Sequence, residues 1–257
     1  VLSPIFEPQF CATSYGFRPR RSAHDALRKC LEYANDGYTY VVDMDLEKFF
    51  DTVNQSMMIE ILGRRIKDGR VISLIHKYLN AGVMNEGRHE DTKVGLVQGG
   101  NISPLLSNVI LNEVDHELER RGIRFVRYAD DMVLFAKSKR SAIRIMDNIL
   151  PFIEGKLKLK VNREKTTESY IGRIKFLGYG FYAWKDGIKL RVHQRSVTKR
   201  KDRIRQITSR SNGISYEMRK VKLKHFISGW VNYFKQADMK KILAQVDTAI
   251  PTRLSMQ

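Results

Sequence analysis

Two adjacent aspartates stand between two apolar runs in the stretch FVRYADDMVLFAK, residues 125–137. Such runs are typical of paired β-strands, and Asp is favoured in the turns that join them. The stretch therefore predicts a β-hairpin with Asp130 and Asp131 at its turn. Because adjacent carboxylates repel each other, the pair is either a plain surface turn or part of a site that neutralises its charge.

A second acidic position follows another strand-like run. In VVDMDLEKFFD, residues 41–51, Asp45 stands at the end of the run. If the two runs are neighbours in one sheet, Asp45, Asp130 and Asp131 form a cluster of three carboxylates. Such a cluster is unfavourable unless cations neutralise it, and oxygen ligands suit Mg²⁺. Because paired Mg²⁺ ions are typical of phosphoryl transfer, these residues predict a nucleic-acid polymerase or a nuclease.

The charge of the chain indicates an anionic partner. A net charge of +18 and a pI near 9.9 favour binding to a polyanion, most commonly nucleic acid. Residues 190–257 contain 16 of the 46 Lys and Arg but only 4 of the 28 Asp and Glu. No apolar run is long enough to span a membrane, and no signal peptide or disulfide pattern is present. We therefore expect a cytoplasmic protein without a membrane partner.

Helical and strand-like segments alternate along the chain and predict an α+β fold. Ser22 is a plausible helix N-cap with Asp25 three residues later, and Ser103 is a second N-cap, followed by Pro104. A third helix is interrupted by Pro151. Alternating hairpins and helices indicate an antiparallel sheet with helices on one face. Beyond residue 188 the pattern is helical and basic.

Six motifs follow one another along the chain: SYGFRPRRSAHDAL, VVDMDLEKFFDTV, GLVQGGNISPLLSNVILNEVDHELE, FVRYADDMVLF, VNREKT and KFLGYGF. In sequence and in order, they resemble the motifs of the reverse transcriptases of bacterial group II introns. The basic tail is similar to the thumb of this family, also called the maturase region. The resemblance implies a right-hand polymerase fold, with a partial fingers region in residues 1–40, a palm with fingers elements in 41–188 and a helical basic thumb in 189–257.

The resemblance also implies an activity. The protein would be an RNA-directed DNA polymerase that adds dNTPs to a primer on an RNA template, and it would bind group II intron RNA to assist splicing and retromobility. Two Mg²⁺ ions, with Mn²⁺ as the alternative, would be held by Asp45, Asp130, Asp131 and the backbone oxygen of Leu46. One alternative is an RNA-binding splicing cofactor without required polymerase activity. Another is a reverse transcriptase of the retron or diversity-generating type. The oligomeric state is left open, with a homodimer as one option.

Matching motif positions imply contacts with the nucleotide, at Arg18, Arg20, Arg21, Phe50, Gln98 and Lys165. The Arg side chains would clamp the triphosphate. Phe50 would exclude a ribose 2′-OH, unless its ring belongs to the core. Gln98 would lie near the incoming nucleotide, or else in a plain surface loop. Val97, just before it, stands where the family usually has Pro. Lys165 would protonate or steady the pyrophosphate, or else be a solvated charge.

Two further sets of residues are implied to contact nucleic acid. The primer grip would be Phe176, Leu177, Gly178 and Tyr179. The RNA-binding helix of the thumb would use Arg195, Lys199, Arg200, Lys201, Arg203 and Arg205. On a helix, residues 199 and 203 share a face, as do 201 and 205. The alternative for this helix is a solvated surface that only keeps the protein soluble.

Overall fold

The computed structural model describes residues 2–85, 88–90, 94–97, 99–209 and 213–239. The chain forms two compact units, Val1–Ile171 and Gly172–Gln257. The last three strands belong to the second unit together with the basic helices. These units therefore do not coincide with the fingers, palm and thumb divisions inferred above, which stay predictions.

The first unit contains seven α-helices and six strands among its described residues. The helices are α1 (Ser3–Phe6), α2 (Ala23–Asn35), α3 (Phe49–Thr52), α4 (Gln55–Arg65), α5 (Gly69–Leu79), α6 (Ser103–Arg120) and α7 (Lys139–Pro151). The strands are β1 (Tyr40–Met44), β2 (Val83–Asn85), β3 (Arg88–Glu90), β4 (Arg124–Tyr128), β5 (Asp131–Ala136) and β6 (Thr167–Tyr170). Short 3₁₀ turns cover Glu7–Gln9 and Ile171–Arg173, and a π-helical turn covers Phe152–Lys156.

Four strands form the central sheet of this unit, in the order β4-β5-β1-β6. All neighbouring pairs are antiparallel, and β4 and β5 form the expected hairpin, with Tyr128 opposite Asp131. Helices α4 to α7 contribute buried apolar side chains to the core that covers the sheet face of Met44 and Met132. The antiparallel sheet and the hairpin are therefore confirmed. The turn itself contains Ala129 and Asp130, whereas Asp131, which we expected in the turn, is the first residue of β5.

Helix α2 differs from the expectation that all helices lie on one face. The ring of Tyr33 packs edge-on against Phe135, with centroids 5.4 Å apart. Because Phe135 pairs with Val41, it points to the sheet face opposite Met44. That second face also carries buried apolar side chains, which need cover of their own.

Two of the inferred helix signals are confirmed, and one is corrected. Ser22 and Asp25 form a capping box at the start of α2, and α7 ends at Pro151 and passes into the π-helical turn. Ser103 is not an N-cap, because it is the first residue of α6 and Ile102 precedes it. Its hydroxyl instead donates to the carbonyl oxygen of Val97 at 2.6 Å and so closes the preceding loop.

The second unit combines a small sheet with two long helices. Its elements are β7 (Lys175–Phe176), β8 (Tyr179–Trp184), β9 (Gly187–Val192), α8 (Gln194–Thr208) and α9 (Tyr216–Phe234). The strands are antiparallel in the order β7-β8-β9. Ile204, Ile207 and Leu223 join α8 to α9 in a small core. In the part of the chain that is described, no helix is both long and apolar enough to cross a bilayer.

Candidate active site

The two acidic stretches meet at one end of the central sheet. Strands β1 and β5 pair with Met44 opposite Met132, and one further step places Asp45 opposite Asp131. Asp130 stands in the turn just before β5. Asp45 and Asp130 are partly buried, whereas Asp131 is exposed. The inference that the two stretches are neighbours in one sheet is thus confirmed, while the ligand roles of these carboxylates stay predictions.

A third acidic strand position contributes to this end of the sheet. The pKa of Asp43 is raised to about 6, first by burial and then by the charges of Asp131 and Asp45. Asp43 and Asp45 are two residues apart in an extended segment, so their side chains share a face. The spacing of two residues between Asp43 and Asp45 is the signal in the sequence that points to Asp43. The negative charge of these aspartates suits a divalent cation, and each of them offers an oxygen as a metal ligand.

The segment 160–166 holds the backbone of Asp45 in place. The Asn162 N–H donates to the Asp45 carbonyl oxygen at 2.9 Å, and the Asp45 N–H donates to the Thr166 hydroxyl at 3.2 Å. Leu46 forms a β-bridge with Val161. The Lys165 ammonium lies 3.6 Å from an Asp45 carboxylate oxygen, at an exposed position. Lys165 is therefore brought to the acidic end of the sheet, as its inferred role requires.

A buried ion pair anchors the turn that carries Asp130. The Arg127 guanidinium donates to both carboxylate oxygens of Asp115, at 2.8 and 2.6 Å, and both side chains are fully buried. Its remaining nitrogen donates to the Asn108 side-chain oxygen at 2.9 Å and to the Ala129 carbonyl at 3.0 Å. Burial raises the pKa of Asp115, and the charge of Arg127 opposes that rise. The carbonyl just before Asp130 is thus fixed from inside the core.

Gly16 packs directly against the same turn. A Cβ atom at Gly16 would lie 2.2 Å from the Ala129 backbone nitrogen, which no side chain can do without moving the turn. The Asn108 amide donates to the Gly16 carbonyl at 2.9 Å, and Tyr15 donates its N–H to the Arg127 carbonyl at 2.8 Å. The N-terminal segment therefore supports the hairpin from the side of β4.

The three arginines assigned to the triphosphate differ in their surroundings. Arg18 is buried, pairs with Glu7 at 2.8 Å and donates to the carbonyls of Cys11 and Ser14 at 2.6 and 2.9 Å. These contacts give Arg18 a structural role, because its donors face the protein. Arg21 is partly buried and also donates to the Ser14 carbonyl, at 3.3 Å. Arg20 is exposed, so of the three it is the best placed to meet a ligand.

The aromatic pair in the first palm motif divides between core and surface. Phe49 is buried, whereas Phe50 is partly exposed and packs edge-on against it, with ring centroids 5.3 Å apart. Phe50 also lies against the core of the first unit. Its partial exposure leaves the ring available to a nucleotide, and its selective role stays a prediction.

The glycine loop before α6 is only partly described. Gln98 lies outside the described residues. At Gly100 an added Cβ would meet the Tyr78 hydroxyl at 2.0 Å, so the close approach that this glycine permits is to the protein itself. Gly99 has a φ of +81°, a conformation that favours glycine.

The four primer-grip residues are less accessible than the inference implied. The side chains of Phe176 and Tyr179 are buried, and the Tyr179 hydroxyl donates to the Tyr233 carbonyl. Leu177 and Gly178 form the turn between β7 and β8, with φ values of 50° and 83°. Contact with a primer would therefore come from this turn rather than from the two aromatic rings.

Five of the six residues inferred for α8 lie on its surface. Arg195, Lys199, Lys201, Arg203 and Arg205 are exposed. Arg200 is only 4% exposed, and its guanidinium lies 4.8 Å from the centroid of the Trp230 ring. Arg200 is therefore not one of the exposed cations of α8, because its side chain packs between α8 and α9, and its contact with RNA stays a prediction.

A mixed cluster of potential metal ligands lies elsewhere in the first unit. Within the described chain, Cys11, His116 and Glu119 are the only three such side chains whose ligand atoms all lie within 4.8 Å of one another. The predicted trio of Asp45, Asp130 and Asp131 does not meet this spacing. The Asn112 amide nitrogen lies 2.9 Å from one ring nitrogen of His116, and the Cys11 sulfur lies 3.6 Å from the other. Contacts at hydrogen-bonding distance therefore account for the close spacing of these three side chains.

Comparison with known proteins identifies the families that the chain matches. Residues 1–181 match the family described as reverse transcriptase (RNA-dependent DNA polymerase), and residues 197–257 match the group II intron maturase-specific domain. Protein YkfC of Escherichia coli K12 is 34% identical over 204 residues, which cover 65% of this chain and 54% of YkfC. The group II intron-encoded protein LtrA of Lactococcus lactis is 27% identical over 273 residues, which cover 81% of this chain and 44% of LtrA.

A solved structure shows the same fold. The telomerase of Candida tropicalis superposes with a TM-score of 0.57 and 14% identity, covering 99% of this chain and 54% of the telomerase. This likeness confirms the right-hand polymerase fold. The chain spans about half the length of the two relatives. Residues 197–257 match the maturase-specific domain of group II introns, and on the match over residues 1–181 the chain belongs to the reverse transcriptase family.

Proposed function

We propose that the protein is an RNA-directed DNA polymerase that adds deoxynucleotides to a primer on an RNA template. The observation that carries the proposal is the meeting of Asp45, Asp130 and Asp131 at one end of the antiparallel sheet in a member of the reverse transcriptase family. A protein that only bound RNA would not need negative charge concentrated there, since carboxylates repel phosphates.

The residues at the acidic end of the central sheet would have different roles in the reaction. Asp45 and Asp130, supported by Asp131 and the carbonyl of Leu46, would hold divalent cations, with Mg²⁺ as the expected metal and Mn²⁺ as the alternative. When bound, such cations activate the primer hydroxyl and neutralise the charge of the triphosphate. Lys165, held beside Asp45, would donate a proton to the leaving pyrophosphate or steady its charge.

Primer extension tests the proposal directly. The purified protein, a DNA primer annealed to an RNA template, Mg²⁺ and all four dNTPs should give full-length cDNA. The same reaction with rNTPs should give little product. Extension that persists when Mg²⁺ and Mn²⁺ are both chelated, or none at all on any primer–template, would contradict the proposal.

We also propose that the protein binds group II intron RNA and assists splicing and retromobility. The match of residues 197–257 to the maturase-specific domain supports this second function, as do the exposed cations of α8. The same match favours an intron-encoded protein over a retron or diversity-generating enzyme. A splicing assay with an intron transcript, with and without the protein, tests this function separately from DNA synthesis.

Replacing Phe50 by Val should relax the selection of the sugar. Its partly exposed ring would clash with a ribose 2′-OH, and removing such a clash changes discrimination by about 1–3 kcal/mol. We therefore expect rNTP incorporation to rise roughly 10- to 200-fold relative to dNTP incorporation. The measurement is single-nucleotide extension with dNTP and rNTP, and Phe49→Leu, in the core, is the control. If an active Phe50→Val protein shows unchanged sugar selectivity, the Phe50 ring serves only the core and does not select the sugar.

Reversing one stripe of cations on α8 should weaken RNA binding. Arg195, Lys199 and Arg203 are exposed and spaced by four residues, so they share one helix face. Because each phosphate contact contributes about 0.7–0.9 to the salt slope of log affinity, their replacement by Glu should reduce that slope by about 2–3. RNA binding measured at several salt concentrations checks this.

A control for the α8 stripe is the triple replacement of Lys67, Arg70 and Lys77 by Glu, which reverses three exposed cations of the first unit. If the α8 variant retains the affinity and salt slope of this control, α8 is only a solvated helix. Arg200 is left unchanged in both proteins, since its replacement by Glu would bury a carboxylate against Trp230 and unfold the packing.

A further inference from the structure

A cationic pocket lies in the first unit, away from the carboxylates. It has a volume of about 440 Å³, and its charged lining consists of Arg121, Arg124, Lys137 and Arg144. The described residues that line it include no Asp or Glu, while Tyr38 and Ser141 add hydroxyl groups. The pocket therefore presents donors and positive charge, which suit an anionic ligand.

The pocket is at the opposite end of the central sheet from Asp45. Its lining includes Ala136, which pairs with Tyr40 at the start of β1, whereas Asp45 follows the last residue of that strand. A strand advances about 3.3 Å per residue, so the pocket and Asp45 are about 16 Å apart along β1. A triphosphate held by Asp45 therefore does not reach the pocket.

Two of the four cations are held rigidly by neighbours. Arg124 donates to Asp36 at 2.7 Å, and Arg121 donates to Glu117 at 2.7 Å and to the Asn148 carbonyl at 2.8 Å. These carboxylates offset their charge but fix their orientation, which lowers the entropy lost when a ligand binds. The structure thus supplies a preformed rim for the pocket.

The other two cations carry the uncompensated charge. Lys137 and Arg144 are exposed, and the Lys137 ammonium lies 5.2 Å from the centroid of the Tyr38 ring. The Arg124 guanidinium lies over the same ring at 4.3 Å. Because two cations already lie over Tyr38, the ring is not a free stacking platform for a base. The chemistry on offer is recognition of phosphate rather than of bases.

We propose that this pocket binds backbone phosphates of structured RNA at a place separate from the primer–template held at the carboxylates. The proposal rests on the function proposed above, that the protein binds intron RNA. An open pocket on a chain with a net charge of +18 favours a polyanion over a single phosphate, since several weak contacts then act together.

The test uses the full chain and the double variant Lys137→Glu/Arg144→Glu. These two exposed side chains leave the pairs of Arg121 and Arg124 intact, and thermal melting checks that the variant folds. The probes are a labelled group II intron transcript and a short RNA–DNA primer–template. We expect affinity for the transcript to fall about tenfold or more, with a salt slope smaller by about 1–2. Primer extension at saturating primer–template should stay within about twofold of the unmodified protein, because the carboxylates are untouched.

The matched control is Lys67→Glu/Lys77→Glu, which makes the same change of charge at exposed positions outside the pocket. Equal transcript affinity in the two variants would overturn the proposal, because only net charge would then matter. An equal loss for the short primer–template would also overturn it, since the pocket would then lie on the path of that duplex. Failure of the proposed function itself is distinguishable, because the unmodified protein would then bind no transcript.

Discussion

Asp130→Asn should lower the rate of DNA synthesis on the order of a thousandfold, while affinity for RNA stays within about threefold. The substitution preserves size but removes a charge at the turn where Asp45 and Asp131 also meet. The cations inferred to bind RNA lie on α8 and in the pocket around Tyr38, so RNA binding should persist. Primer extension and RNA binding measured on the same preparation test both halves of this expectation.

The control for Asp130→Asn is Asp147→Asn, which changes an exposed aspartate of α7 in the same unit. Asp147→Asn should leave both the rate of DNA synthesis and the affinity for RNA unchanged. Near-normal extension by Asp130→Asn would show that this carboxylate is not a metal ligand. Loss of RNA affinity together with synthesis would instead point to a misfolded turn, which thermal melting would reveal.

Arg127→Met should destabilise the protein and abolish synthesis. It leaves the Asp115 carboxylate buried without its partner, and breaking a buried pair in this way costs about 3–5 kcal/mol of unfolding free energy. It also frees the Ala129 carbonyl, which Arg127 holds at 3.0 Å just before Asp130. Urea denaturation and primer extension measure the two effects. Lys139→Met, which breaks an exposed pair with Glu168, should cost about 0–1 kcal/mol.

The double variant Arg127→Met/Asp115→Leu separates stability from positioning. Replacing both partners by apolar residues removes the unpaired charge, so much of the stability should return. Synthesis should stay low, because Arg127 no longer holds the Ala129 carbonyl. The Mg²⁺ concentration needed for half-maximal rate should rise. Full recovery of synthesis along with stability would show that the pair serves only the core.

Much of the local structure follows from the sequence. Ser22 with Asp25 identifies the start of α2 because capping is a local interaction. Apolar runs identify β1, β4 and β5, and Asp130 marks the turn between the last two. The expectation that Asp45 faces the hairpin depended only on β1 and β5 being neighbours, which the observed register confirms.

The burial of other candidate residues depends on contacts between residues distant in the chain. Arg18 resembled a phosphate ligand, but Glu7 and two backbone carbonyls occupy its donors. Arg200 resembled its basic neighbours, but it is buried against Trp230. A cation has the same formal charge whether it is solvated or packed, so local pattern alone does not separate the two cases.

The sequence by itself determined the order of the elements and the position of Asp45, Asp130 and Asp131 at strand ends, because strand period, capping and turn chemistry act over a few residues. Only the tertiary structure decided that Arg127 pairs with Asp115 inside the core. A charged residue within an apolar strand signals that a buried partner is needed, but not which one. That choice depends on the packing of α6 against β4, where burial makes an unpaired charge unfavourable and so selects the arrangement that satisfies both residues.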